Sequence, residues 1–154
     1  MRNLKTLLIA ALGLFILLVG PVSQAGAESA NKPGLFVNLT TDDTWSAAKA
    51  VAFAHQKALK NGHKPVAIWL NVRAIYLADK KRASHVHGLM KEKGMSIQDM
   101  LKGFIKDGGQ VIMCGLCSKA AGLTKQDYID GVTMGNSEVV SKILFDPNVK
   151  TLSW

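Results

Sequence analysis

Two short apolar segments with a helical pattern between them limit the folds that this chain can adopt. Residues 34–40 (GLFVNLT) and 65–70 (PVAIWL) are apolar runs rich in strand-forming residues, which is typical of buried strands. From Thr44 to Asn61, apolar residues recur at helical spacing, and Asn61-Gly62 predicts the end of that helix. A strand, a helix and a second strand in this order indicate a parallel sheet covered by helices.

The second half of the chain continues the alternation of strands and helices. Ser96, with Asp99 three residues later, predicts the start of an amphipathic helix, and residues 110–113 (QVIM) predict a third strand. Asn136 or Ser137 can cap a last helix before a strand at residues 149–153. We therefore expect four main strands.

Residues 71–93 carry competing signals, and we predict mostly loop with some helix there. The whole pattern predicts one three-layer α/β/α domain with a mainly parallel sheet, of the flavodoxin-like or Rossmann-like class.

The N-terminus has the pattern of a secretory signal peptide. Arg2 and Lys5 precede an apolar run at residues 7–19, and Ala25-Gly26-Ala27 supplies a cleavage site. The run is too short for an ordinary spanning helix, although an uncleaved anchor is the alternative. We predict a signal peptide at residues 1–27, a single domain at 28–154, and an exported protein, periplasmic in a Gram-negative source, with no membrane segment in the mature form.

The charge of the chain argues against nucleic acid as a partner. Loss of residues 1–27 lowers the formal net charge from +8 to +6. The basic residues are scattered apart from residues 80–82 (KKR), and no aromatic residues interleave with them to stack on bases. We predict a solvated loop for this cluster.

Both cysteines lie in Met113-Cys114-Gly115-Leu116-Cys117, directly after the third predicted strand. In an open parallel sheet, reactive groups gather at the carboxyl ends of the strands, where helices begin. A helix N-terminus favours the thiolate, so the pKa of Cys114 is expected below the ordinary value of roughly 8.5. Cys117 follows one helical turn later, within reach of a disulfide or a shared persulfide.

Three interpretations of this C-x-x-C pair stay open from the residues alone. A structural disulfide is one, although so short a loop removes little chain entropy. Thiol–disulfide exchange of the thioredoxin kind is another, although the motif comes late in the chain for that fold. The third is Cu(I) or Zn binding by Cys114 and Cys117 with His85 and His87, although an H-x-H pair is commonly a polar surface feature.

A family resemblance adds a further interpretation. Residues 111–123 (VIMCGLCSKAAGL) and 128–136 (YIDGVTMGN) resemble the strand, reactive cysteine, short helix and following D-L-x-x-G-V-x-x-G element of the DsrE-like (DsrE/DsrF-like) sulfur-relay family. The resemblance implies a persulfide-carrying cysteine at Cys114 and frequent homo-oligomers. Cytoplasmic members work with partner sulfurtransferases, which an exported chain cannot meet.

The resulting functional hypothesis is a thiol or persulfide sulfur carrier. Cys114 is the predicted reactive residue and Cys117 the resolving thiol, because Cys117 stands where the family often has a small inert residue. We expect no cofactor and no resident metal. The expected partners are a sulfur donor or acceptor protein or a small sulfur species, and a second copy of the chain. If the protein is an enzyme, its predicted activity is sulfurtransferase-like. Asn38 and Asn71 are predicted to line the same crevice as Cys114.

Overall fold

Parallel strands form one sheet in the part of the chain that the computed structural model describes, residues 32–86 and 88–154. The five strands are β1 (Gly34–Leu39), β2 (Val66–Leu70), β3 (Gln110–Cys114), β4 (Thr133–Gly135) and β5 (Val149–Ser153), in the spatial order β4-β3-β2-β1-β5. Every neighbouring pair is parallel. The predicted fold class is confirmed.

The expectation of four main strands was wrong, because β4 was missed. This strand has only three residues, all at least partly exposed, so no apolar run marks it in the sequence. It exists through pairing with β3, which sets Met134 beside Met113 and Gly135 beside Cys114. A strand of this length depends on its neighbour rather than on its own propensity.

Helices connect the strands. They are α1 (Thr44–Ala52), α2 (Ile97–Lys106), α3 (Gly115–Ala120) and α4 (Ser137–Leu144). A π-helical turn (Phe53–Ala58) and a 3₁₀ turn (Leu59–Asn61) extend α1 to the predicted end. Ser96 and Asp99 form the predicted capping box of α2, and Asn136 caps α4.

The connection at residues 71–93 contains more helix than we predicted. It holds two 3₁₀ segments, Val72–Ala78 and Gly88–Lys93, and Ala74, Ile75 and Ala78 of the first are buried. The first segment follows β2 directly, so it borders the carboxyl edge of the sheet. The predicted signal peptide, residues 1–27, lies outside the described residues. Within the described part, no helix is long and apolar enough to cross a membrane.

The order of the strands determines which face each helix covers. From β1 to β4 the chain moves step by step in one direction across the sheet, and it then returns past β1 to place β5. Right-handed crossovers put the first three connections on one face and the last on the other. Helices α1 and α2 accordingly pack on one face, and α4 lies on the opposite face.

The two hydrophobic layers differ in thickness. Alternate strand residues such as Val37, Ile68 and Val111 join the large core under α1 and α2. The other face has a core of four buried residues, which are Phe36, Ala67, Ile112 and Val149. Helix α4 packs on this small core and has no fully buried residue. The protein therefore has one thick and one thin layer.

His55 lies between α1 and α2, as a packed histidine at the edge of the apolar face. Its ring meets Phe104 edge-on at 5.7 Å, and its Nε2 is 2.6 Å from Asp107 Oδ2. Lys60 Nζ approaches the same oxygen to 2.7 Å. The Lys60 ammonium and then His55 lower the pKa of the Asp107 carboxyl. These contacts join the C-terminal ends of both helices.

Candidate functional site

The cysteine pair lies at the carboxyl edge of the sheet, as predicted. Cys114 is the last residue of β3 and the N-cap of α3, and it is joined to Cys117 by a disulfide across a Cα–Cα distance of 5.3 Å. The helix begins at Gly115, directly after Cys114. Cys117 therefore falls in the first turn of α3, where its sulfur can reach Cys114.

The two cysteines have different surroundings. The backbone N–H of Cys117 donates to Cys114 Sγ at 3.1 Å, so Cys114 occupies the position of a capping acceptor. In a reduced pair with the same backbone geometry, this N–H would stabilise a negative charge on Cys114. Cys114 is 7% exposed, whereas Cys117 is half-buried and has its sulfur beside Asn71. The local hydrogen bonding thus favours Cys114 as the thiolate.

A buried pair of hydroxyl groups secures the start of α3. Ser118 Oγ donates to the carbonyl oxygen of Cys114 at 2.8 Å, and the Tyr128 hydroxyl lies 2.7 Å from the same Oγ. The Ser118 hydroxyl has one hydrogen, and it donates this hydrogen to the Cys114 carbonyl. The Tyr128 O–H is therefore the donor in the second hydrogen bond. Burial raises the pKa of Tyr128. Sequence reasoning missed this pair.

Glycines allow β3 and β4 to meet closely beside the cysteines. A Cβ on Gly115 would lie 2.5 Å from the carbonyl oxygen of Gly135, which is closer than Cβ atoms approach other atoms in proteins. A Cβ on Gly135 would meet the carbonyl oxygen of Met113 at 2.8 Å. Both clashes involve backbone, which cannot rotate away. Two glycines are therefore required to bring α3 and the end of β4 together at this edge.

Asparagines connect the cysteine pair to the neighbouring strand ends. Asn71 follows β2, and its Oδ1 lies 3.3 Å from Cys117 Sγ. Its Nδ2 donates to Asn38 Oδ1 at 3.4 Å, and Asn38 Nδ2 donates to Ser153 Oγ at 3.5 Å. Asn71 thus contacts the disulfide through Cys117, whereas the residues that line the cleft beside Cys114 include neither Asn71 nor Asn38. Asn38 helps to hold the Asn71 side chain in place through the hydrogen bond between them.

A shallow cleft of about 300 Å³ borders Cys114 on the α4 side. Trp69, Leu116 and Val140 give it a largely apolar lining, and Asn136 lies at its rim at the start of α4. Leu116, inside the C-x-x-C motif, is 80% exposed. The cleft has the size of a small molecule or one amino-acid side chain, and Cys114 is part of its lining.

The structure does not support the metal interpretation that included the histidines. His85 lines a different cavity together with Tyr76 and Arg82, and His87 lies outside the described residues. Among the residues described, no group of three His, Cys, Asp or Glu side chains could hold a metal ion. Cys114 and Cys117 have each other as partners.

The basic cluster at residues 80–82 is an exposed turn, as expected, and two of its side chains make specific contacts. Lys81 Nζ bonds Asp127 Oδ1 at 2.7 Å, and this ammonium holds the pKa of the Asp127 carboxyl far below its usual range. The Arg82 guanidinium stacks 3.5 Å above the Tyr76 ring. These contacts fasten the loop after Asp79 to the segment that leads into β4.

The geometry can be compared with known proteins. Residues 34–147, most of the described chain, match the DsrE/DsrF-like family. The chain belongs to the DsrE/DsrF-like family. Membership of this family suggests a role in sulfur relay or redox reactions, and the cysteine pair is present at the edge of the sheet.

Solved structures share the DsrE-like fold at low sequence identity. The YchN protein from E. coli superposes with a TM-score of 0.64 at 15% identity, covering 80% of this chain and 99% of its own. MTH1491, a protein of unknown function from Methanobacterium thermoautotrophicum, superposes with a TM-score of 0.57 at 11% sequence identity. The match covers 79% of this chain and 99% of MTH1491. BT1422 from Bacteroides thetaiotaomicron superposes with a TM-score of 0.58 at 16% sequence identity. The match covers 79% of this chain and 95% of BT1422. Among curated proteins, none matches the chain.

Proposed function

We propose that the protein carries sulfane sulfur as a persulfide on Cys114 and that Cys117 resolves this persulfide. The observation that supports the proposal most directly is the hydrogen bond from the Cys117 N–H to Cys114 Sγ, at the end of β3. It favours the thiolate at the sulfur that borders the cleft. We further propose export through residues 1–27 and assembly with further copies of the chain.

The reaction begins with the reduced pair. The Cys114 thiolate attacks the outer sulfur of a donor persulfide or polysulfide, the donor S–S bond breaks, and the shortened donor leaves as a thiolate or shorter polysulfide. Cys114 then holds one extra sulfur. An acceptor thiolate can remove that sulfur and restore the Cys114 thiolate, and this route needs no further oxidant.

Resolution is the alternative fate of the persulfide. Cys117, once deprotonated, attacks Cys114 Sγ and expels hydrosulfide, which leaves the Cys114–Cys117 disulfide found in the structure. The two electrons lost by the pair reduce the sulfane sulfur to sulfide. A dithiol reductant must then return the pair to its reduced state through a mixed disulfide.

Intact mass spectrometry tests the proposal. Wild type and the variants Cys117→Ser and Cys114→Ser are reduced, freed of reductant and incubated with polysulfide. Cys117→Ser should gain the mass of one or more sulfur atoms that dithiothreitol removes, and Cys114→Ser should gain none. Sulfur on Cys114→Ser alone would reverse the two roles. The absence of sulfur uptake by both variants would refute the carrier.

Dithiol–disulfide exchange is a second candidate, and the disulfide in the structure favours it. Under this function, the reduced pair should reduce a disulfide substrate without ever carrying extra sulfur. Reduced wild type mixed with a small disulfide would form Cys114–Cys117 rapidly, while polysulfide would leave no adduct on Cys117→Ser. Reduced wild type and Cys117→Ser therefore distinguish a sulfur carrier from a dithiol–disulfide exchange protein.

A further inference from the structure

The contact between Asn71 and Cys117 joins residues 46 positions apart in sequence. Asn71 Oδ1 lies 3.3 Å from Cys117 Sγ, within hydrogen-bonding range for sulfur. In the disulfide the sulfur has no proton to donate. On reduction, however, Cys117 gains an S–H, and a side-chain carbonyl oxygen already faces it.

Other hydrogen bonds fix the orientation of the Asn71 amide. Its Oδ1 accepts the backbone N–H of Val72 at 2.9 Å, and its Nδ2 donates to Asn38 Oδ1 at 3.4 Å. If the amide were rotated by half a turn, its NH₂ group would face the N–H of Val72, so two donors would meet. Its oxygen would face Asn38 Oδ1, so two acceptors would meet. The oxygen is therefore the atom presented to Cys117.

The backbone after Asn71 is held in an unusual conformation. Val72 has φ +50°, in the left-handed region that β-branched residues rarely enter. Its N–H is bonded to the Asn71 side chain, and Asn71 is also the N-cap of the 3₁₀ segment Val72–Ala78. Non-glycine residues persist in this region only where surrounding contacts hold them. The position of Asn71 is thus maintained at a cost in backbone strain.

We propose that Asn71 holds Cys117 as the neutral thiol in the reduced protein and thereby lengthens the life of the Cys114 persulfide. The inference rests on the proposed function and adds regulation of the same site. A carbonyl oxygen accepts a bond from S–H and repels a thiolate, whereas Cys114 receives an N–H donor. Only deprotonated Cys117 can expel hydrosulfide, so Asn71 slows that step and leaves time for transfer to an acceptor.

Charged and titratable groups also lie on the elements next to Cys117. Arg73 and Tyr76 lie on the neighbouring 3₁₀ segment, and the Arg73 guanidinium makes two hydrogen bonds to Asp42 at 3.0 and 2.8 Å. Lys119 is exposed on α3 itself. Because Asn71 also bonds the backbone of Val72, a shift in Cys117 titration is assigned to the amide only where Asn71→Leu and Asn71→Asp move the midpoint in opposite directions.

The first test is thiolate absorbance against pH in the Cys114→Ser background, where serine keeps a capping hydroxyl. Asn71→Leu should lower the Cys117 midpoint and raise the thiolate fraction at neutral pH about fivefold, as expected for one lost hydrogen bond. Asn71→Asp should move the midpoint upward because a carboxylate disfavours a nearby thiolate. Asn38→Leu is the matched control and should have a smaller effect. Shifts in one direction for both Asn71 variants, or none, would overturn the proposal.

The second test measures sulfide release from protein that carries Cys117 and a preformed Cys114 persulfide. Asn71→Leu should release sulfide about fivefold faster than wild type, and Asn71→Asp more slowly. Equal rates would also overturn the proposal. The titration uses no sulfur donor, so its outcome is independent of sulfur uptake. Failure of Cys117→Ser to accept sulfur would refute the carrier, while an unmoved titration would refute only the role of Asn71.

Discussion

Replacing Ser118 by alanine removes the acceptor of a buried phenol. Ser118 and Tyr128 are each 1% exposed, and no water can take over the lost bond without entering the core. The Tyr128 O–H would be left without a partner, at a cost of about 1–3 kcal/mol, and the bond to the Cys114 carbonyl would be lost at about 1 kcal/mol. We expect Ser118→Ala to destabilise the oxidised protein by about 2–4 kcal/mol.

Tyr128→Phe should destabilise the protein less than Ser118→Ala does. It removes one hydrogen-bond donor and leaves Ser118 bonded to the Cys114 carbonyl. About 1 kcal/mol is expected for this variant. In the double variant the two losses overlap, so its cost should fall below the sum of the single costs. Exposed Ser137 on α4 supplies a control, and Ser137→Ala should stay within about 0.5 kcal/mol of wild type.

Urea unfolding without reductant measures these differences. With a slope of about 1–3 kcal/mol per molar urea, Ser118→Ala should lower the urea midpoint by about 0.7–4 M. The disulfide must remain intact in each sample, which a thiol assay checks. If Tyr128→Phe is as costly as Ser118→Ala, or if the two costs are simply additive, the assignment of donor and acceptor in this pair is wrong.

Three further predictions concern other parts of the molecule. The lowered pKa of Asp127 provides stability above its unfolded value of about 4 that is lost as the pH falls, so Asp127→Asn should flatten the acid limb of a stability–pH profile measured by urea unfolding. Gly115→Ala would place a methyl group 2.5 Å from a backbone oxygen and should cost about 1–3 kcal/mol, and a midpoint equal to wild type would contradict the close approach. Leu101→Ala in the thick layer should cost about 2–5 kcal/mol, and Ile143→Ala in the thin layer less than half as much by the same assay.

Features that depend on neighbouring residues in sequence were predicted well. The capping box of Ser96 and Asp99 spans three residues and was predicted from their types alone. The position of Cys114 at a strand end followed from the apolar run before it and the glycine after it. In these cases a short segment contains both partners of each interaction, so no knowledge of the fold was needed.

Features that depend on distant residues could not be predicted in the same way. Strand β4 forms because β3 lies beside it, and its three residues carry no apolar pattern. Asn71 was expected at the crevice, but its contact with Cys117 and the positive φ of Val72 require the arrangement of two strand ends. Ser118 and Tyr128 are ten residues apart with a turn between them, and nothing in their spacing indicates a shared hydrogen bond.

The thin layer affects motion at the edge of the sheet that holds Cys114. Local opening of a folded protein is easiest where few apolar side chains are buried, and α4 lies on a core of four residues with none of its own fully covered. Its amide protons should therefore exchange with solvent faster than those of α1 and α2. Since Ser137 and Val140 of this helix line the cleft beside Cys114, transient detachment of α4 would widen access to the sulfur while the opposite layer stays closed.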